Sequence, residues 1–285
     1  MDALTADRLR SPALQQHPHP HRLTDVLSVT SAQLDAWLAA FLWPFSRILG
    51  LMSIAPVLGS LRVPVRMRVS LALALTLLIA PALPPPPAVA PASLEGLWIM
   101  ALQFAVGLAI GFAVQLVFTA VEIAGELMGI QMGLGFALLY DPQSRAQVPV
   151  LGQFLGLLAT LTFLGMNGHL QLVSVLVESF QQIPMSGAQA LNLSQLVIGW
   201  STFVLRAGVL LSLPVVAALL IANLALAVLT RAAPQLNIFA VGFPLTLCAG
   251  LLALLLALPA FLPLFAQLAE SALQAAPALR APLVP

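Results

Sequence analysis

The sequence predicts an all-α, polytopic integral membrane protein. Three observations predict it. Of the 285 residues, 60% are hydrophobic and 7% are charged, whereas a soluble domain carries roughly a quarter charged residues. Apolar runs long enough to cross a bilayer, at about 20 residues per span, recur along the chain. Prolines and short polar breaks interrupt these runs, which predicts apolar helical hairpins with broken or kinked helices. Other classes drop out. The net charge of +1, with no basic run, leaves no nucleic-acid footprint. The single cysteine, Cys248, excludes an intrachain disulfide and a cysteine metal site. All eleven basic residues are arginine, which in so Ala-, Leu- and Pro-rich a chain reads as compositional bias.

The chain divides into a polar tail over 1–30, expected to be disordered, a single helical membrane domain over 31–268, and an Ala/Pro-rich tail over 269–285. The first tail has no apolar core of a signal peptide. Its His17, His19 and His21 alternate with prolines, which suits a disordered tail better than a metal-binding tract. Leu34–Leu58 is the first apolar run, interrupted by Pro44, Arg47 and Pro56. Arg62, Arg66 and Arg68 crowd the segment after it, and the positive-inside rule keeps such a loop in the cytoplasm. Val69–Leu83, the second run, stops at Pro84–Pro87, because consecutive prolines cannot continue a helix. Leu94–Thr119, the third, carries Gly107 and Gly111 four apart as a small-residue seam.

Val148–Met166 is closed by the turn signal Asn167-Gly168-His169, with His169 expected at an interface. Leu170–Ile183 differs in kind: it is too short to span comfortably. Its Gln171, Ser174, Glu178, Gln181 and Gln182 fall at helical spacing, predicting an amphipathic helix with a wet or partner-facing side. Val197–Leu229 as one helix would reach about 50 Å, beyond a hydrocarbon core of about 30 Å, so Pro214 is expected to kink it or break it into a hairpin. Ile238–Leu268 is the last run, softened by Pro244, Pro259 and Pro263.

One stretch stands apart, Val121–Val150. Gly125, Gly129 and Gly133 are spaced four apart, a stripe on which another backbone can pack closely. Glu122 and Glu126 share a neighbouring stripe, where like charges repel. The run through Thr119 enters this stretch without a proline, so the two are either one bent helix or a helix followed by a loop. Asp141-Pro142 ends the helical pattern.

No enzyme is expected, because no phosphate-cradling loop, paired-histidine zinc helix or nucleophile elbow occurs, and no cofactor is implied. What remains is a set of charges in apolar runs: Arg47, Glu122, Glu126, Glu178 and Arg206. Each needs a partner or a water-filled cavity. Two arginines against three carboxylates admit mutual neutralisation as readily as a transport role. A self-contained secondary transporter would gather Glu122, Glu126 and Arg206 at the midplane, yet the similar halves usual in that class are missing.

Four segments in order carry a resemblance: Ser53–Arg68 (SIAPVLGSLRVPVRMR), Gly125–Gln143 (GELMGIQMGLGFALLYDPQ), Phe163–Pro184 (FLGMNGHLQLVSVLVESFQQIP) and Arg231–Gly250 (RAAPQLNIFAVGFPLTLCAG). From about Leu34 to Leu268 the chain resembles the flagellar biosynthetic protein FliR family, the single-copy membrane component of the type III export gate. The homologous subunit of virulence-associated injection systems shares the plan. The resemblance implies a FliP-like N-terminal part and a FliQ-like C-terminal part. It implies assembly with FliP and FliQ at the flagellar basal body in the bacterial inner membrane, beside FlhA, FlhB and the rod base, around a pore that passes unfolded protein substrates. It also implies that many apolar helices lie in a complex raised out of the bilayer. Met132–Asp141 would then help close the pore. Gly133 and Gly135 permit backbone bending there, and Met132, Leu134, Phe136, Leu138 and Leu139 supply apolar bulk for a plug, methionine being able to deform and re-form a seal.

Overall fold

The computed structural model describes residues 30–59, 63–134, 149–185, 193–232 and 238–275. Within them the regular structure is helical, with no strand. The elements are α1 (Ser31–Ile54), α2 (Val65–Ile79), a 3-10 turn (Ala80–Ala82), α3 (Leu94–Gln131), α4 (Val150–Gly165), α5 (Gly168–Gln182), α6 (Leu193–Ala232) and α7 (Ile238–Ala275). Five helices are long and apolar enough to cross a membrane, or six if α4 and α5 count as one broken span. The chain is thus an all-α polytopic membrane protein by length and composition.

Helix α3 is the axis. It is continuous for 38 residues, about 57 Å at 1.5 Å per residue, which settles the one-helix alternative for the run through Thr119. Ser93 caps its start, its hydroxyl accepting from the Gly96 amide at 3.0 Å. The N-terminal half packs on α1, with Ser46 against Met100, Gly50 against Phe104 and Leu108, and Gly111 against Leu51 and Ile54. These pairs rise together in number, so α1 and α3 run parallel, and α2 packs back along α1 between them in sequence.

The C-terminal half of α3 receives the remaining long helices. Phe112 meets Trp200, and Ala120 and Ile123 border Gly208, so α6 also runs parallel to it. Gly125 meets Gly152 while Phe118 meets Phe163, so α4 runs antiparallel. Met132 meets Gly250 while Phe118 meets Phe265, and α7 is antiparallel too. Phe118 touches both partner rings edge-on at centroid distances of 5.5 Å, a favoured quadrupole arrangement.

Helices α4 and α5 meet at a 67° bend. Asn167 sits there in the left-handed region at φ 58, which asparagine tolerates, and the Phe163 ring lies on Gly168, where any side chain would collide. Helix α5 buries Leu172, Leu176, Ser179 and Phe180 and exposes Ser174, Glu178 and Gln181, the amphipathic division expected from its spacing. Helix α6 is a single 40-residue element with Pro214 inside it, so the hairpin alternative does not hold. A proline removes one backbone donor, and an apolar helix of this length absorbs that loss without ending. Helix α7 likewise runs through Pro244, Pro259 and Pro263 and continues to Ala275, so 269–275 is helix. Ala269, Ala272 and Leu273 are buried there, and packing rather than composition extends the element. The polar tail over 1–29, with His17, His19 and His21, lies outside the described residues.

The parallel contact of α1 and α3 is backbone on backbone. A Cβ on Gly107 would overlap the carbonyl oxygen of Arg47, and one on Gly50 would overlap that of Phe104. At Gly129, by contrast, the nearest atoms to an added Cβ are Leu134 Cδ1 at 3.8 Å and Leu151 Cβ at 3.9 Å. Gly107→Ala is therefore expected to force α1 away and cost about 1–3 kcal/mol. Gly129→Ala is expected to be neutral, or stabilising by up to about 1 kcal/mol through helix propensity. Thermal unfolding of the purified protein in detergent decides this, and equal melting temperatures for the two variants would sink the close-contact account.

Candidate functional site

Arg47 is the most deeply buried charge among the described residues, with 0% of its surface exposed. The seam of α1 on α3 fixes its backbone, and its side chain reaches across to α5. Its Nε donates to Gln103 Oε1 at 2.8 Å, and Nη2 donates to the same oxygen. Nη1 donates to Ser179 Oγ at 3.1 Å, and Nη2 also donates to the Ile183 carbonyl oxygen at 2.8 Å. The guanidinium carbon stacks 4.1 Å from the centroid of Phe180, a cation–π contact that strengthens when water is excluded. All of these acceptors are neutral. Pairing with a carboxylate is not how this charge is held: an amide, a hydroxyl, a carbonyl and a ring face hold it instead. Sequence reading singled out Arg47 and missed Gln103, although a glutamine in the middle of an apolar run was the available signal.

The other charges stand elsewhere. Glu122, Glu126, Glu178 and Arg206 are exposed. Glu122 lies beside α4, where its Oε1 would be 3.8 Å from a Cβ on Gly156. Glu178 accepts from Gln182 Nε2 at 2.8 Å. Glu122, Glu126 and Arg206 form no enclosed site, and no ion pair joins them.

Of the three stripe glycines, Gly125 lies against the backbone of α4, where an added Cβ would be 2.5 Å from the Cα of Gly152. Gly129 has the ordinary spacing already given. Gly133 lies past the end of α3, at φ 79, the left-handed conformation that glycine adopts without a steric penalty. Its amide donates to the Ile130 carbonyl oxygen at 3.0 Å, and the Met132 amide to that of Met128 at 2.9 Å.

Met132 is fully buried and rests on Gly250 of α7, with Thr246 Oγ1 3.5 Å from its carbonyl oxygen. Leu134 is half-buried and turns back over Gly129. The proposed plug residues Gly135, Phe136, Leu138 and Leu139 lie outside the described residues, as does Arg62 of the arginine-rich loop.

The chain matches the family described as bacterial export proteins, family 1, over residues 38–272. It is 41% identical over 239 residues to the flagellar biosynthetic protein FliR of Escherichia coli strain K12, an alignment covering 84% of this chain and 91% of that one. The chain belongs to the FliR family. The corresponding protein of Pectobacterium carotovorum is 40% identical over 244 residues, covering 85% of this chain and 92% of that one. That of Bacillus subtilis strain 168 is 32% identical over 224 residues, covering 76% and 85%. Family membership with this apolar helical fold makes the chain a membrane-embedded component of the flagellar export apparatus.

The Arg47 cluster gives a test with a distinctive sign. Gln103→Leu leaves a buried guanidinium without its forked acceptor and is expected to cost about 2–3 kcal/mol, as for hydrogen bonds to charged groups. Arg47→Met leaves only neutral acceptors behind and should cost less, and the Arg47→Met/Gln103→Leu double variant should be milder than Gln103→Leu alone. Melting temperatures in detergent measure all three. Simple additivity of the two single substitutions would show that the pair is not coupled.

Proposed function

We propose that this chain is a pore-forming subunit of the flagellar protein export gate, assembled with FliP and FliQ in the bacterial inner membrane, through which unfolded flagellar proteins leave the cell. FlhA, FlhB and the rod base would be its outer partners. The observation that carries this reading is identity of about 40% along most of the chain to proteins named FliR. The surface supports it. Only 28% of the apolar stretch of α6 and 17% of that of α7 is buried within the chain, leaving Leu213, Leu220, Ile221 and Leu224 exposed on α6 and Leu251, Leu252, Leu255 and Leu256 exposed on α7. Surfaces of this kind require lipid or other apolar subunits to cover them.

Orientation follows from the two ends of the parallel pair. Trp37 and Trp98, each 64% exposed, lie near the N-terminal ends of α1 and α3, where amphipathic rings suit a headgroup region. Arg66 and Arg68 lie at the start of α2, after α1 has run its length, and this end is assigned to the cytoplasm. Cysteines at Val63 and Val65, in a chain whose Cys248 is replaced by alanine, should resist an impermeant thiol reagent in intact cells and react after lysis. Labelling in intact cells would reverse the orientation.

The segment from Met132 to Asp141 is proposed as the plug, with Met132 anchored on α7 and the chain beyond Gly133 closing the hole. Deleting Gly133–Ala137 should leave the FliP–FliQ complex assembled while raising membrane conductance to small ions. The increase should vanish when the FliP partner is absent. An assembled complex carrying the deletion with unchanged conductance would refute the plug, and failure to co-purify with FliP and FliQ would refute the gate itself.

A further inference from the structure

Between the outward side of α5 and the last turns of α7 lies an open groove of about 580 Å³. Val175 of α5 and Leu273 of α7 give it an apolar part. Each helix also contributes an exposed carboxylate, Glu178 from α5 and Glu270 from α7, and no basic residue among the described ones lines it. Glu178 accepts a hydrogen bond from Gln182 Nε2 at 2.8 Å, but that donor is neutral. Among the described residues neither carboxylate is joined to a cation. The groove therefore calls for an occupant with one positive group and some apolar surface.

Such a segment starts at the groove itself. Gln274 lines the groove and is the last residue but one of α7, which ends at Ala275. The chain continues as 276–285, APALRAPLVP, whose one charged side chain is Arg280. Five residues separate Arg280 from Ala275, a reach of up to about 17 Å for extended chain. Pro277 disfavours the helical conformation at Ala276, so the sequence turns the chain off the α7 axis beside Gln274. Prolines also stiffen the segment, which lowers the entropy lost when it docks. The stretch 186–192, which follows Met185 after the end of α5, carries no charged residue and offers the carboxylates nothing.

We propose that residues 276–285 fold back over this groove as a strap between α5 and α7. Arg280 sits between Glu178 and Glu270, and Leu279 rests against Val175 and Leu273. A guanidinium presents donors on two edges and so can serve a carboxylate from each helix. Single exposed ion pairs are weak, but tethering raises the local concentration of the cation into the millimolar range. The strap secures the outer side of α5, while Arg47 secures its inner side through Ser179 and the Ile183 carbonyl. The contact lies within one chain and does not depend on assembly with FliP and FliQ.

Ser174→Cys, in a full-length Cys248→Ala chain purified in detergent, reads the cover, because residue 174 lines the groove on exposed surface. Uncharged iodoacetamide should alkylate it about fivefold faster once the chain is cut after Ala275, the gain that loss of an ion pair of the stronger exposed kind gives. The cut keeps the whole of α7. Gln153→Cys on α4, exposed and not part of the groove, should react at the same rate in both chains, which checks the fold. Each charge variant is compared with its own truncated form, so that effects of the local field on the thiol cancel. Arg280→Glu, and separately Glu178→Gln/Glu270→Gln, should abolish the difference between full-length and truncated chains. The inverted set Glu178→Arg/Glu270→Arg/Arg280→Glu should restore it. Equal rates at Ser174→Cys with and without the tail overturn the strap, fast rates meaning an open groove and slow rates meaning cover by another element. Protection by the tail that survives Glu178→Gln/Glu270→Gln overturns the seat assigned to Arg280.

Discussion

The rest of the molecule depends on the approach of two backbones, α1 to α3, at Gly50 and Gly107. In a membrane protein no hydrophobic force sorts helix from helix, because lipid tails are as apolar as leucine, and association relies on close packing and hydrogen bonds. Glycine at both positions removes the side chains that would hold the helices apart, and the Arg47 carbonyl settles into the space at Gly107. That contact sets where the Arg47 side chain begins, and so which part of α5 it can reach. The same device recurs farther along α3, where Gly125 lets α4 approach through Gly152. The bent α4–α5 pair is therefore fixed at two points, by a backbone contact at one end and a guanidinium at the other.

A buried arginine without a carboxylate is a defined energetic choice. A carboxylate would add Coulombic attraction but bring a second desolvated charge, and the two penalties together often exceed the gain. Neutral acceptors satisfy the donors with a single desolvated ion, and the Phe180 face adds attraction without any hydration to lose. Lysine could not replace it: a single ammonium cannot present a planar fork to Gln103 while also reaching Ser179 and Ile183. The arrangement links three helices distant in sequence through one side chain.

Much of the architecture was legible in the sequence because apolar length and proline position are properties of the chain itself. The long runs became helices, and the polar spacing of Gln171 to Gln182 gave the outward face of α5. Boundaries drifted where packing decided them. Helix α7 extends to Ala275 because Ala269, Ala272 and Leu273 find neighbours, which no local pattern announces. Pro214 did not break α6 because, in an apolar setting, leaving the helix would expose more backbone groups than the proline removes. The charges were visible as residues but not as relations. Nothing in the spacing of Arg47 and Gln103, 56 positions apart, tells that they meet, and equal four-residue spacing did not reveal that Gly125, Gly129 and Gly133 have three different environments.

The end of α3 joins a buried anchor, Met132, to a glycine turn. Met132 is buried on Gly250, and the helix ends one residue earlier, with the Met132 and Gly133 amides still bonded back to Met128 and Ile130. The post is therefore rigid up to Met132. Gly133 then takes a positive φ, the point at which a chain can change direction without steric cost. The plug proposed for the segment beyond Gly133 would need this division, because a hinge transmits motion only if the element behind it does not yield. Anchoring Met132 on α7 supplies the unyielding side. It also sets the turn at Gly133 beside the helix whose far end carries Glu270 and Gln274. The Met132 contact at Gly250 and the stretch from Glu270 to Gln274 thus belong to one 38-residue helix.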